Sequence, residues 1–445
     1  MDNPNAAGQS NPAAGGIGGP APVPDTRLPR LVTAMATSTL GVYIALLTPL
    51  QLLLTLHLTQ IVPEDGKMSA TTAFSVVTGV GALLALFANP FGGRVSDRTS
   101  ARFGRRRTWI LTGALSGALV LTAMSWTTEV WQVVVVWCLV QTLTNFQQAA
   151  TIALMPDQVP PGRRGSVSGI LGLVASCGPL IGLTLVAMIR APAVQWAIAA
   201  VACALGGVIA VLLVRERPLA ERPDKMGLAE LAHSFWVNPR RHPAFGWAWL
   251  IRFLLSCSFA ANTYHAFYLM QRFGVAEDKV AGVVLQLSLL STVVLAITAV
   301  IGGFLSDKLR RQKPFVAASG VFVAVSLSLM AFAPSLTFVF VAMAFIGVGT
   351  GLAYSVDTAM CVRVLPSSAD AGKDLGVVNM ANTIPQSVVP FVAAPLLALG
   401  GFSLFYVVLG VVGVLGAVAV VRIPEIGQEG DPRYALITRP AATVA

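Results

Sequence analysis

Asp357 is the only one of twenty acidic residues that falls clearly inside a long apolar segment. An ionisable group within a membrane is costly and is a functional candidate by default. Arg252 lies in another apolar segment at similar depth, about six residues or roughly 9 Å from its charged end. A carboxylate loses its charge when a cationic partner moves away. We therefore predict a pair whose protonation couples to a conformational change; a static salt bridge and no pair at all are the alternatives.

Other polar residues lie in the same apolar segments. His265 titrates near neutral pH when unperturbed, so it is a candidate proton carrier, with simple packing among aromatic neighbours as the alternative. Amides donate and accept hydrogen bonds at once, which suits sugar hydroxyls. The candidates for solute contact are Gln51, Asn145, Gln147, Gln148, Thr151, Asn262, Tyr354, Asn379, Asn382 and Gln386. Hydrogen bonds that only join membrane helices are the alternative for these residues.

A short charged loop occurs twice in the chain. The sequence GGRVSDR begins at residue 92 and GGFLSDK begins at residue 302, and each is followed by paired basic residues. The positive-inside rule explains the basic residues, but acids contribute little to it. Asp97 and Asp307 occupy the same slot of the two copies and require another cause. An ion pair with nearby arginines, or contact with the positive N-terminus of a neighbouring helix, is the cause we expect.

The composition places these residues in a membrane protein. The chain has 445 residues, of which 55% are hydrophobic and 11% are charged, whereas soluble domains carry about 25% charged residues. The net charge of +10 is explained by basic loops, so no nucleic-acid partner is expected. The five cysteines all lie in apolar segments without metal-binding spacing, which predicts neither a metal site nor a disulfide framework. We expect no cofactor.

Apolar segments of about 20 residues, the length that crosses a bilayer as a helix, recur along the chain. The predicted spans are roughly 31–58, 70–91, 108–126, 130–156, 165–189, 194–214, 246–270, 279–304, 315–333, 335–362, 374–399 and 402–422. Most basic residues then fall in the loops on one side, which predicts that both termini are cytoplasmic. The expected fold is an all-α, multi-pass protein of the cell membrane with twelve transmembrane helices.

The repeats divide the chain into two pseudo-symmetric six-helix bundles. Besides the charged loops, ALMPDQVP at residue 153 resembles AMCVRVLP at residue 359. Duplicated halves with a site between them are typical of secondary transporters. The predicted organisation is a tail at 1–26, a bundle at 27–214, a cytoplasmic linker at 215–245, a bundle at 246–424 and a tail at 425–445.

Other classes of protein are disfavoured. The chain contains no GxxxxGK[ST] sequence for nucleotide, which disfavours an ATP-driven pump. The four histidines are not clustered, which disfavours an enzyme. A membrane sensor that transports nothing stays open. We expect a monomer in the lipid bilayer that moves a small molecule by alternating access, with a proton or another cation.

The first charged loop resembles the signature of the major facilitator superfamily. The matching residues are Gly93, Asp97, Arg98, Gly104, Arg105 and Arg106. Its longer spacer, together with the stretch from Gly372 to Gln386, is similar to the sucrose and glycoside–cation symporter branches. The resemblance implies a proton-coupled sugar symporter. The segment GPLIG at residue 178 resembles part of the motif of drug–proton antiporters, so efflux of a drug or natural product is the alternative.

The same resemblance implies a gate at the cytoplasmic face. In that family, contacts made by the loop hold this face closed while the cavity opens outward. Asp97 with Arg98 and Arg105 would form the latch, and Asp157 would be a third partner. The expected gate residues are Gly93, Asp97, Arg98, Arg105, Asp157, Asp307 and Lys308. The second copy carries Arg310 where a glycine is expected.

Overall fold

The structure is a computed structural model that describes residues 26–63, 66, 68–216, 242–363 and 371–423. The predicted tails and most of the predicted linker lie outside these residues. Within the last two helices, the side chains of 357–359, 361–363, 371–376 and 379 are also outside the described set. The predictions for the side chains of Asp357 and Asn379 therefore remain untested by the structure.

All regular structure in the described residues is helical. The α-helices are α1 Leu28–Thr48, α2 Leu54–Ile61, α3 Ala70–Arg98, α4 Arg105–Ala123, α5 Val130–Gln158, α6 Arg164–Ala187, α7 Pro192–Leu213, α8 Pro243–Phe259, α9 His265–Phe273, α10 Glu277–Leu309, α11 Lys313–Ala331, α12 Leu336–Arg363 and α13 Ala371–Ala419. Local sequence sets several starts: the Ser69 hydroxyl accepts from the Thr72 amide at 3.2 Å before α3, and Glu129 forms a capping box with Gln132 before α5.

Ten stretches of the described helices are long and apolar enough to cross a membrane. The last stretch, Met380–Arg422, has 43 residues, whereas one crossing needs about 20. Its backbone breaks at Gly400 and Gly401, where Gly401 adopts a φ of 61° that favours glycine. The ten stretches confirm an all-α membrane protein. Because α5 is not among the ten, the count of twelve transmembrane helices stays a prediction. The cytoplasmic placement of both termini also stays a prediction.

Two helices change their winding where the halves of the chain meet. A π-helical turn at Pro49–Leu53 separates α1 from α2, and a 3-10 turn at Ala260–Tyr264 separates α8 from α9. The two turns lie against each other. Proline at the first position of the π turn lacks an N–H, which weakens the regular helical ladder there. Single π turns inside helices are often found at functional sites.

Glycines allow the helices of each half to approach closely, and they do so at matched places of the repeat. A Cβ atom on Gly92 of α3 would lie 2.7 Å from the Phe146 ring of α5. A Cβ atom on Gly302 of α10 would lie 2.9 Å from the Ser355 hydroxyl of α12. The first glycine of each charged loop therefore packs against the helix two crossings later. The two copies share structure as well as sequence.

The halves meet through α3 against α13 and through α6 against α10. We call the end of the helices that carries the charged loops the loop end, and the opposite end the far end. Toward the far end, the Ser75 and Tyr264 hydroxyls are 2.8 Å apart, and the Phe74 ring meets Tyr264 edge-on. Gln60 Nε2 also donates to Glu277 Oε2 at 3.5 Å. These contacts join the halves at the far end.

At the loop end the facing helices are open. Added Cβ atoms on Gly165, Gly169 and Gly172 of α6, and on Gly303 of α10, would meet nothing within 4 Å. The described side-chain hydrogen bonds between the halves join Gln60 to Glu277, Ser75 to Tyr264 and Gln51 to Ser288, all away from the loop end. The described polar contacts between the halves are thus asymmetric.

Tyr264→Phe tests the closure. The change removes the hydroxyl bonded to Ser75 but keeps the ring packed on Phe74, while Ser75 still donates to the Thr71 carbonyl at 2.9 Å. One net hydrogen bond is worth about 1 kcal/mol, so we expect the population opened at the far end to rise about fivefold. Distances between spin labels at that end would measure it. Tyr268→Phe is the control because its hydroxyl bonds Met330 within the same half; equal effects of both variants would contradict the closure role.

Candidate functional site

Arg106 is the centre of an ion-pair network at the loop end. Its guanidinium Nη2 lies 2.5 Å from Asp97 Oδ1, its Nε lies 2.9 Å from Asp157 Oδ2, and its Nη1 donates to the Ser96 hydroxyl at 3.0 Å. The residue is only 3% exposed. The start of α4 places Arg106 between the C-terminal ends of α3 and α5. One planar, permanently charged group therefore ties three helices together.

Glu216 supports this network from the residues that follow α7. Its Oε2 accepts the backbone N–H groups of Arg106 at 2.9 Å and Arg107 at 3.2 Å. These are among the unpaired amides at the positive end of α4. Its Oε1 also lies 3.7 Å from Arg105 Nε. Burial raises the pKa of the Glu216 carboxyl, while the two amides and the arginines act in the opposite direction.

Gly104, which precedes α4, is required by its backbone and by Glu216. Its φ of 109° is unfavourable for any other residue, and an added Cβ would lie 2.6 Å from Glu216 Oε2. We expect Gly104→Ala to destabilise the protein by about 2–3 kcal/mol through strain and a displaced carboxylate. Thermal unfolding in detergent would measure the change. Gly93→Ala is the control: its Cβ meets nothing within 4 Å, and alanine favours a helix by about 0.5–1 kcal/mol.

In the structure the acid of the predicted latch pairs with a different arginine. Asp97 pairs with Arg106 rather than with Arg105, because Arg105 turns its Nη2 to Asp157 at 2.8 Å. Arg98 is the last residue of α3. The network as described also lies wholly within the first half of the chain, so these contacts hold one bundle together and do not tie the two bundles to each other. The glycine that packs tightly is Gly92; Gly93 faces open space.

The second charged loop differs from the first in backbone and in ion pairing. Asp307 and Lys308 are exposed near the end of α10, and the described residues contain no salt bridge from either. Arg310 ends α10 with a left-handed φ of 50°, whereas the first loop has an extended Thr99 at the end of α3 and its positive φ at Gly104, before α4. Arg310 bears a strain of about 1–2 kcal/mol.

Arg252 forms a polar cluster with Asn382 between the helices α8 and α13. Asn382 Oδ1 accepts from Arg252 Nε at 3.0 Å and from the Ser256 hydroxyl at 2.8 Å. Both lone pairs of this oxygen are therefore used, and the amide nitrogen is left to donate elsewhere. Pairing of Arg252 with Asp357 stays a prediction, since that carboxylate lies outside the described side chains.

Three of the predicted solute contacts instead hold the first half together. Gln147 and Thr151 are completely buried. Gln147 Nε2 donates to the Ser38 hydroxyl at 3.2 Å, which lies 2.7 Å from the Thr151 hydroxyl. Asn145 Oδ1 accepts a hydrogen bond at 3.3 Å from the side-chain Nδ2 of Asn89 in α3. Interhelical hydrogen bonding, the alternative, describes these residues in this structure, and their contact with solute stays a prediction.

Other predicted contacts keep free hydrogen-bonding capacity. The Gln148 Oε1 and Asn262 Oδ1 atoms are buried and have no hydrogen-bond partner among the described residues. Asn262 lies in the 3-10 turn, and Gln51 of the facing π turn accepts from Ser288 at 3.5 Å. Buried acceptors are nearly always paired, with protein, water or ligand. Gln386 is exposed.

His265 and Tyr354 differ in exposure. His265 is 7% exposed at the start of α9, within a run of buried residues that includes Tyr264 and Phe267. This position matches the packing alternative. Tyr354 of α12 is 61% exposed, so its side chain is accessible.

The segment GPLIG packs on α1: a Cβ on Gly178 would lie 2.9 Å from the Tyr43 Cβ. Close helix packing therefore accounts for this glycine.

Comparison with known proteins decides the family. The family model described as Major Facilitator Superfamily matches residues 30–296 and 280–443. The chain belongs to the major facilitator superfamily. This superfamily member is a transporter and a multi-pass membrane protein, as the sequence predicted, and its structural neighbours are transporters too. The wider expectation that it is not an enzyme is confirmed on the same grounds.

Solved structures of low identity share its fold. A mutant form of the nucleoside transporter NupG is 14% identical with a TM-score of 0.68, covering 89% of this chain and 99% of that one. A POT family transporter in complex with a thioalcohol-conjugated peptide is 13% identical with a TM-score of 0.69, covering 90% and 97%. The human organic anion transporter MFSD10 is 15% identical with a TM-score of 0.65, covering 88% and 99%.

One curated relative matches part of the transporter. The multidrug resistance protein MdtG of Proteus mirabilis (strain HI4320) is 32% identical over 119 residues. This match spans 27% of each chain, so the activity of the whole relative does not pass to this chain.

Proposed function

We propose that this transporter moves a small organic solute by alternating access, driven by a proton gradient. The observation that carries the proposal is the asymmetric contact between its halves. Toward the far end the halves are joined through Ser75 and Tyr264, while the glycines of α6 and α10 face open space at the loop end. A molecule closed at one end and open at the other is one of the two states that such transport requires.

The solute that we propose is polar, a sugar or glycoside. Two buried amide oxygens, on Gln148 and Asn262, lack partners among the described residues, and each can accept a hydrogen bond from a hydroxyl group. The exposed Gln386 adds another amide. The resemblance of the stretch from Gly372 to glycoside–cation symporters supports the same class. Gln147 and Thr151 add nothing to this proposal because their side chains already have hydrogen-bond partners within the first half.

Coupling to protons is assigned to Asp357 together with Arg252. The Arg252 guanidinium is partly buried and is oriented by Asn382, and a buried cation favours a nearby carboxylate in its charged form. When the helices move apart, that carboxylate takes up a proton. Movement of α8 against α12 and α13 would then be linked to protonation.

Efflux of a drug or natural product by proton antiport is the second candidate. The match to a relative named a multidrug resistance protein favours it, over 119 residues at 32% identity. An efflux substrate would be largely apolar or cationic. It would leave the unpaired oxygens of Gln148 and Asn262 with fewer hydroxyl donors than a sugar offers.

A ligand screen by thermal shift separates the two candidates. Ligands that bind the folded protein stabilise it by mass action, about 2.7 kcal/mol at a hundred times the dissociation constant. We expect glycosides to raise the unfolding temperature of the purified protein and hydrophobic cations to leave it unchanged. The reverse result would favour efflux. Counterflow in proteoliposomes then tests transport itself, since a sensor does not exchange labelled for unlabelled solute.

A further inference from the structure

A polar cavity lies at the loop end of the first bundle. It has a volume of about 210 Å³ and is lined by Thr26, Arg27, Arg30, Leu213 and Arg215. The cavity sits where α1 begins and α7 ends. It is separate from the Arg252 cluster and from the network around Arg106, so neither transport nor the gate explains it.

The cavity carries three guanidinium groups and no acidic residue. None of Arg27, Arg30 and Arg215 makes a salt bridge within the part of the chain that the structure describes. Among the described residues the nearest acid in sequence is Glu216, which is engaged with the backbone at the start of α4; Asp25, which precedes Thr26, lies outside the described residues. Three like charges around one cavity repel each other unless an anion lies between them.

The start of α1 adds further positive potential. The helix begins at Leu28 with Arg27 as its N-cap, which makes no side-chain capping bond, and its first turn contains no acid. Helix N-termini carry unpaired N–H groups and a partial positive charge, and acidic groups normally lie there. Among the described residues at this helix start, the exposed basic residues Arg27 and Arg30 take that place.

A buried threonine fixes the geometry of the cavity. Thr26 is 2% exposed. Its hydroxyl accepts from the Arg215 backbone N–H at 2.8 Å and donates to the Arg215 carbonyl at 3.0 Å. Gln158 Nε2 donates to that carbonyl as well, at 3.1 Å. The ends of α1 and α7 are thus held beside each other, and the backbones that carry the guanidinium groups are fixed before any ligand arrives.

We propose that this cavity binds a phosphate group, and that the phosphate belongs to the headgroup of an anionic membrane lipid. Guanidinium groups match phosphate oxygens in bidentate geometry. The apolar residues of α1 and α7 begin directly at the cavity, so a phosphate bound there lies at headgroup level with its acyl chains along these helices. Basic pockets between helices at this level of a membrane bind anionic headgroups. The proposal does not depend on which solute is transported.

Native mass spectrometry of the full chain in detergent tests the proposal. Dioleoyl-phosphatidylglycerol, dioleoyl-phosphatidylcholine and inorganic phosphate are added separately. Each arginine near the surface contributes about 1 kcal/mol to anionic lipid binding, so the double variant Arg30→Gln/Arg215→Gln is expected to bind phosphatidylglycerol more than tenfold more weakly. Arg163→Gln, an exposed arginine at the same end but outside the cavity, is expected to bind it as the wild type does.

Each outcome has a definite meaning. Tighter binding of phosphatidylglycerol than of phosphatidylcholine, lost in the double variant and kept in Arg163→Gln, supports the site. Equal binding of both lipids by the wild type overturns it. Equal losses in the double variant and in Arg163→Gln also overturn it, because a diffuse surface charge then explains the preference. Binding of inorganic phosphate with no lipid preference overturns the lipid source, and the cavity is then a site for soluble phosphate. The double variant is expected to unfold at the same temperature as the wild type, which checks that it is folded.

Discussion

Replacing Arg106 with glutamine is expected to destabilise the protein by about 3 kcal/mol, the low end of the cost of breaking a buried ion pair. The change leaves the carboxylates of Asp97 and Asp157 facing each other without the cation between them. The low end applies because the Asp97 side chain is 49% exposed, so water screens part of the repulsion. Chemical unfolding of the purified protein in detergent would measure the loss.

Arg105→Gln is the matched control. Arg105 is the neighbouring residue and pairs with the same oxygen of Asp157, but its side chain is 21% exposed. We expect a loss of about 1 kcal/mol or less, as for other accessible pairs. If both variants lose the same stability, the buried position of Arg106 is not what matters.

Asp97→Asn tests the gate itself: we expect slower transport in proteoliposomes with nearly unchanged substrate affinity, and unaltered turnover would rule the role out.

Asp357→Asn is expected to abolish proton-driven accumulation while exchange of solute continues. A gradient of one pH unit is worth about 1.4 kcal/mol per proton, or about tenfold accumulation. An amide takes up no proton, so the variant should lose this factor but still carry solute down its gradient. Uptake by proteoliposomes with an imposed pH gradient, compared with counterflow without one, measures the two properties separately.

Asp278→Asn provides the control for the coupling experiment. Asp278 is an exposed acid in the first turn of α10 at the far end, and its loss should leave the accumulation intact. An Asp357→Asn protein that still concentrates solute against its gradient would exclude Asp357 as the coupling residue. A variant that also fails in counterflow would point to a structural salt bridge with Arg252, the alternative to coupling.

The sequence predicted which loop matters but not which arginine occupies its centre. Consecutive residues of an α-helix point about 100° apart. Among the three arginines that open α4, only Arg106 points between Asp97 and Asp157. That direction depends on where α4 begins, which is set by the positive φ of Gly104 and is invisible in a pattern of charges.

The same geometry separates the adjacent amides of α5. Gln147 points into its own bundle and is completely buried, while its neighbour Gln148 is only partly buried. Both residues are glutamines, and they are neighbours in the sequence. The choice between interhelical bonding and solute contact therefore depends on tertiary packing, which the sequence pattern does not specify.

Glu216 was missed by the sequence although a signal for it existed. It lies directly after an apolar segment and between Arg215 and Arg217. Acids contribute little to membrane orientation, and this reasoning, which singled out Asp97, applies equally to an acid surrounded by basic residues. Its place in a predicted linker hid its role at the start of α4.

The π turn at Pro49–Leu53 has a consequence for how this chain is aligned with others. A π turn holds one residue more than the α-helical turn it replaces, which shifts every later side chain by about 100° around the axis. Leu54 and Leu58, which follow the turn, are completely buried. The second half has a 3-10 turn at Ala260–Tyr264, which is wound more tightly. An alignment that crosses residues 49–53 without a one-residue gap would assign the wrong face of Leu54–Ile61 to the core.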